Sequence, residues 1–101
     1  MHILANVEVL WKALSDPTRR LILDELTERD GQTLFELCQR LLMKHKVAST
    51  RQAISQHLAV LETARLVKVK REGRYKFHFI NTAPLHAIHK RWTGGKDKGK
   101  V

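Results

Sequence analysis

Between Thr50 and His57 the chain reads TRQAISQH. Gln52, Ser55, Gln56 and Ala59 recur at helical spacing on one side of this stretch, and Arg51 sits at the edge of that side. Guanidinium, amide and hydroxyl groups are the ones that pair with base edges in a DNA major groove. Ile54, Leu58 and Leu61 fall at i, i+4 and i+7 on the other side, the spacing of a buried stripe. A helix buried along one side ordinarily carries long charged residues outside, and an ordinary solvated face is the competing reading of this one. The departure from that composition points to readout of double-stranded DNA.

Other residues could do chemistry, and each has a plainer reading. His86 and His89 form an H-x-x-H that can bring two imidazoles to one zinc ion. No carboxylate lies between Asn81 and Trp92, so further ligands would have to come from elsewhere or from a partner subunit. Histidines of a surface or a subunit seam are the alternative. Cys38 has no Cys or His at i±2 or i±4, and reads as a packed thiol. There is no Ser/His/Asp set, catalytic carboxylate pair, P-loop or GxGxxG, so an enzyme is not expected, nor a cofactor.

The elements that must position the Thr50–His57 run are legible from their caps and periods. Residues 49–66 read as one helix, with Ser49 and Gln52 spaced as a capping box and Thr50 as a competing N-cap. Residues 3–14 form a first helix whose stripe of Ile3, Val7, Leu10 and Leu14 is widened by Leu4 and Trp11. Asp16 and Pro17 suit the N-cap and first position of a second helix, whose Leu21, Ile22, Leu23 and Leu26 form a core cluster. Arg19 and Arg20 lie in its first turn against the helix dipole, either as a phosphate contact or as a solvated pair. Asp30-Gly31 breaks the chain, and Thr33 and Glu36 then cap LFELCQRLLMKH, with Leu34, Leu37, Cys38 and Leu41 inward. Residues 44–48 connect it to the helix of the Thr50–His57 run.

After Leu66 the period falls from 3.6 to 2. Val67 and Val69 alternate with lysines, and Tyr75, Phe77 and Phe79 alternate with Lys76 and His78. Glu72-Gly73 separates the runs, as in a tight hairpin. The expected product is a ribbon with valines and aromatics on one underside and Lys68, Lys70, Arg71, Arg74 and Lys76 at the edge or tip. Those charges suit phosphate or minor-groove contact, or protection of an edge strand. Residues 81–84 lead into a last helix with Leu85, Ile88 and Trp92 in line, and TGGKDKGKV reads as a disordered basic tail. The fold expected is mainly α with a small β-hairpin, a winged helix-turn-helix of about five helices and a two-stranded wing. It comprises one domain over 1–92 and a tail over 93–101.

Bulk properties agree. The 101 residues carry a net charge of +9 and an isoelectric point near 10.2, which favours a polyanionic partner. No apolar run approaches the roughly 18–20 residues needed to span a bilayer, so no membrane partner is expected. The first residues lack the pattern of a signal peptide, and a single cysteine fits a cytoplasmic location. Leu4, Val7 and Trp11 of the first helix and Leu85, Ile88 and Trp92 of the last are more apolar surface than so small a domain can bury. They are the expected seam of a homodimer.

With these elements in hand, LWKALSDPTRRLILDEL, RQAISQHLAVLETARLV and REGRYKFHFI resemble the ArsR/SmtB-type family of bacterial repressors over about residues 7–92. ALSDPTRR and SQHLAVLE are quite specific to that group. The resemblance implies a homodimer joined through the first and last helices, with recognition helices presented to two operator half-sites. It carries over Thr50, Arg51, Gln52, Ser55, Gln56 and His57 as recognition-helix positions, and Arg71 and Arg74 as wing positions. By helix geometry His57 lies nearer the apolar stripe than the others. The chain departs from the family's metal sensors: ELCQRLL stands where they carry a cysteine-rich ELCVCDL-type segment, and the terminal helix lacks their Asp-x-His pair.

The function expected is therefore sequence-specific DNA binding by a repressor, with a metal-responsive repressor using His86/His89 or a nucleoid-type protein as alternatives. RNA is disfavoured because Tyr75, Phe77 and Phe79 are needed beneath the wing.

Overall fold

The computed structural model describes residues 3–94, with side chains from Val7 onward. The order is α1 (Ile3–Leu14), α2 (Pro17–Glu28), α3 (Leu34–His45), α4 (Arg51–Thr63), β1 (Val67–Glu72), β2 (Tyr75–Ile80) and α5 (Ala83–Thr93). This is the mainly α architecture with a two-stranded wing that the sequence predicts. Among the described residues no helix is long and apolar enough to cross a membrane.

Caps set the boundaries. Asp16 accepts the Arg19 N–H at 3.0 Å, with Pro17 at the first helical position. Thr33 and Glu36 form the full capping box of α3. The box expected from Ser49 and Gln52 does not form. Thr50 takes the cap, its hydroxyl accepting the Ala53 N–H at 3.0 Å, and Ser49 falls one residue outside the helix. α3 ends on Lys46, whose left-handed backbone (φ 60°) lets its N–H return to Leu42 O, so the connector to α4 is 46–50. At the other end α5 runs through Thr93, with Gly94 as its C-cap, so the helix takes a residue assigned to the tail. The rest of that tail, 95–101, lies outside the described residues.

The core is where α1 to α4 meet the base of the wing. Leu10 and Ala13 of α1, Ile22, Leu23 and Leu26 of α2, Leu37 and Leu41 of α3, and Ile54, Leu58 and Leu61 of α4 are buried together with Leu66 and Val67. Leu21 and Leu34 are only packed against this cluster. Glu25, on the inward side of α2, is buried too. It is held by Arg40 Nε at 2.5 Å and His45 Nε2 at 2.7 Å from α3, with Lys44 Nζ at 3.3 Å. Lys44 and Arg40 also pair with Glu28. Burial pushes the Glu25 carboxyl up, but hydrogen bonds from His45, Arg40 and Lys44 outweigh it and leave a pKa of about 2.

The wing corrects an expectation. Antiparallel pairing places Val67 opposite Ile80, Val69 opposite His78 and Arg71 opposite Lys76 on one face. Lys68, Lys70 and Glu72 share the other face with Phe79, Phe77 and Tyr75. The valines and the aromatics are thus on opposite sides, and His78, expected outward, is buried instead. His78 exchanges backbone hydrogen bonds with Gln32, and its Nδ1 lies 2.9 Å from Gln32 O. Gly31, at φ +73°, lets that segment approach the wing, where a Cβ would come within 2.8 Å of the Phe79 ring. Tyr75 stays exposed, 6.3 Å from the Phe77 ring. The argument against RNA from aromatics hidden beneath the wing therefore does not hold.

Candidate nucleic-acid interface

α4 is the element around which the interface is built. Ile54, Leu58 and Leu61 are buried, whereas Arg51, Gln52, Ser55 and Gln56 are exposed and none makes a side-chain hydrogen bond among the described residues. The structure therefore gathers four of the six recognition-helix residues into one free hydrogen-bonding face. Thr50 joins them at the N-terminus. Its oxygen is used by the cap, while its O–H remains a donor that can reach a phosphate. Arg51 also lies over the Phe35 ring of α3, 5.9 Å from its centroid.

His57 is not brought to that face. It points toward the α1–α2 corner, with Nδ1 3.1 Å from Arg19 Nη1 and 3.8 Å from Asp16 Oδ2. The same guanidinium donates to Ala13 O at 2.8 Å and to Lys12 O at 3.0 Å, the latter also accepting from the Ser15 hydroxyl, at the end of α1. Arg20 donates likewise to Leu14 O at 2.7 Å. Arg19 is thus drawn into a structural role, whereas Arg20, although bonded to Leu14 O, remains exposed as expected of a solvated residue. At Asp16, burial works against the charge, but the Arg19 N–H and the charges of His57 and Arg19 hold its carboxyl below the usual range.

The wing supplies the cations. Lys68, Lys70, Arg71 and Arg74 are all exposed. They are distributed over the wing rather than aligned: Lys68 and Lys70 lie on the aromatic face, Arg71 on the valine face beside Lys76, and Arg74 in the turn. Only two residues, Gly73 and Arg74, connect the strands, and Gly73 at φ +62° occupies the first central position of this turn. The 4.0 Å contact of Lys70 with Glu72 is exposed at both ends and leaves the lysine available to a phosphate.

Residues assigned to other roles are also placed. Trp11, Leu85 and Trp92 are exposed, Val7 and Ile88 partly so, and α5 buries none of its residues. The side chain of Leu4 lies outside the described residues. His86 and His89 are exposed on α5, and the described residues gather no group of three His, Cys, Asp or Glu able to hold a metal. Arg19 and Glu25 are the charged residues whose importance sequence reasoning missed. For Glu25 a signal existed, since an acidic residue at i+3 from Ile22 occupies a position of the buried stripe.

Comparisons with known proteins agree with this geometry. A family described as a helix-turn-helix domain matches residues 14–70. The HTH-type transcriptional regulator YuzN of Bacillus subtilis (strain 168) is 52% identical over 87 residues, covering 86% of this chain and 95% of that protein. The transcriptional repressor SdpR of the same organism is 33% identical over 76 residues, covering 75% and 77%. The structure of an ArsR-like transcriptional regulator from Rhodococcus sp. RHA1 superposes with a TM-score of 0.74 at 32% identity, covering 87% of this chain and 74% of that one. The chain belongs to the ArsR-type winged helix-turn-helix family of transcriptional regulators, and is a DNA-binding regulator rather than an enzyme.

Proposed function

We propose that the protein is a cytoplasmic transcriptional repressor that binds a two-half-site operator as a homodimer, with residues 1–92 serving as a single DNA-binding and dimerisation domain. The observation that carries this reading is the free face of Arg51, Gln52, Ser55 and Gln56 on a helix whose opposite side is buried. These groups read base edges, and Thr50, Lys68, Lys70, Arg71 and Arg74 anchor the phosphates. Support for the dimer comes from α1 and α5. Trp11 and Trp92 are 48% and 63% exposed in the protomer, and a solvated α5 with Leu85, Ile88 and Trp92 in line is a costly surface for a small domain. Exposed tryptophans are what an interface core uses. Repression is the role named for the relative SdpR, and a dimer seated across promoter DNA would exert it by occupancy.

The test is selection of duplexes from a random pool, followed by competition between the selected duplex and random DNA. A selected site with two related halves, bound at least a thousandfold more tightly than random DNA, is the expected result. Equal affinity for both would replace this reading with nucleoid-type binding.

A further inference from the structure

The apolar arc of helix α3 is wider than the core covers. Leu37 and Leu41 are buried, whereas Phe35, Leu42 and Met43 are 54%, 50% and 70% exposed. Here the uncovered residues do not form a flat patch. Phe35, Cys38, Leu42 and Met43 of α3, with Val47 of the connector and Arg51 of α4, line an open groove of about 350 Å³. That volume is at the small end of sites for organic ligands.

The polar character of the groove is of one sign. Arg51 supplies its only charge, beside the neutral Gln39, and no acidic residue lines it. Burial pushes the Cys38 thiol up, and the opposing charge of Arg51 is the smaller effect, so the thiol stays protonated and adds to the apolar wall. A cation would find no partner in this groove. An anion with an apolar body would find both an apolar bed and a guanidinium, which holds carboxylates through paired N–H donors.

We propose that the groove is an effector site for a small apolar monocarboxylate, whose ring or chain lies on Phe35, Leu42 and Met43 and whose carboxylate pairs with Arg51. Its consequence for DNA rests on the proposed role of Arg51 in the interface. A carboxylate on Arg51 withdraws the guanidinium from DNA and sets a negative charge at the start of α4, where the phosphates would approach. Occupancy of the groove and occupancy of the operator then exclude one another.

The chain contains two methionines, Met1 and Met43, so the ¹³C-methyl spectrum of the full chain isolates a reporter inside the groove. 4-Phenylbutyrate is the probe, with 4-phenylbutanol and 4-phenylbutylamine as neutral and cationic controls. A saturable shift of the Met43 methyl by the acid, at least tenfold tighter than by either control, is expected. Arg51→Gln should erase the preference for the acid over the alcohol. Leu42→Glu, at an exposed position, should abolish the response with the helical content unchanged. Saturating acid should weaken wild-type binding to a selected duplex at least tenfold. Equal responses to all three probes, no Met43 response, or unchanged duplex affinity at saturation would overturn the proposal. So would a change in oligomeric mass on Leu42→Glu, which would make the groove an interface between copies. Duplex binding is measured first without acid, so failure of the DNA reading is seen separately from failure of the groove.

Discussion

Arg19 fastens α4 to the corner between α1 and α2, its Nη1 lying 3.1 Å from Nδ1 of His57. The guanidinium has no lone pair to offer, so in this contact it can only be the donor. Because the same guanidinium closes the carbonyls of Lys12 and Ala13, one side chain ties three helices together. His57 is therefore a positioning residue. His57→Ala should cost about 1–2 kcal/mol in urea unfolding and weaken selected and random duplexes by similar factors. Unchanged stability combined with a loss confined to the selected duplex would return His57 to the base-reading face.

Gln56 lies on that face with no partner to lose within the fold. Gln56→Ala should leave unfolding within about 0.5 kcal/mol and cost about 1–3 kcal/mol on the selected duplex, with little change on random DNA. Lys68→Ala should instead weaken both duplexes together and reduce the slope of log affinity against log salt by about one. Fluorescence anisotropy at several salt concentrations separates the two signatures. A Gln56 variant that weakens both DNAs alike would mean that the face has been assigned wrongly.

Most of α4 was legible because its signals are local: the stripe of Ile54, Leu58 and Leu61, the cap, and the absence of long charged residues outside. The wing was misread for a reason that is also physical. Each strand alternates correctly, but which alternation faces the core depends on the length of the turn. A two-residue turn pairs odd positions of β1 with even positions of β2, so Val67 and Val69 face Ile80 and His78 while Phe77 and Phe79 go to the lysine side. An odd loop would have put valines and phenylalanines together. The Arg19 corner was not legible, because nothing in the local pattern links residues 38 positions apart.

Trp92 tests the seam. It is 63% exposed in the protomer, so Trp92→Ala removes little from the protomer core. The expected outcome is unchanged far-UV circular dichroism together with at least a tenfold weaker dimer by sedimentation equilibrium. A wild-type mass of one chain at micromolar concentration and physiological salt would remove the dimer from the proposal.

The α2–α3 ion pairs give the fold a defined acid limit. Glu25 titrates at about 2 in the folded chain, below its ordinary value of 4.5, so its contribution is complete above the unfolded value. That contribution is lost as pH falls from about 4.5 toward 2, and is on the order of 3 kcal/mol for a carboxylate shifted this far. Urea titrations between about pH 6 and pH 2 should show stability falling through this window. Glu25→Gln should start lower and lose most of the slope. A variant with the wild-type slope would assign the acid limit to other carboxylates.

Zinc is the remaining question of control, and the placement of the histidines decides what to expect. His86 and His89 are both exposed on α5, and among the described residues no third His, Cys, Asp or Glu stands close enough to complete a set with them. A tight zinc site takes three or four protein ligands, so two imidazoles one helical turn apart should hold the ion only weakly. Their helix is also the one proposed to form the seam, where a partner's groups could complete the set. Zinc, cadmium and arsenite are each expected to change affinity for the selected duplex by no more than a few-fold. Titrating Zn²⁺ into the protein–duplex complex, with fluorescence anisotropy as the readout, measures this directly. Stoichiometric release by micromolar zinc, lost in the His86→Ala/His89→Ala double variant, would show that the seam builds a metal site and would make the protein a metal-responsive repressor.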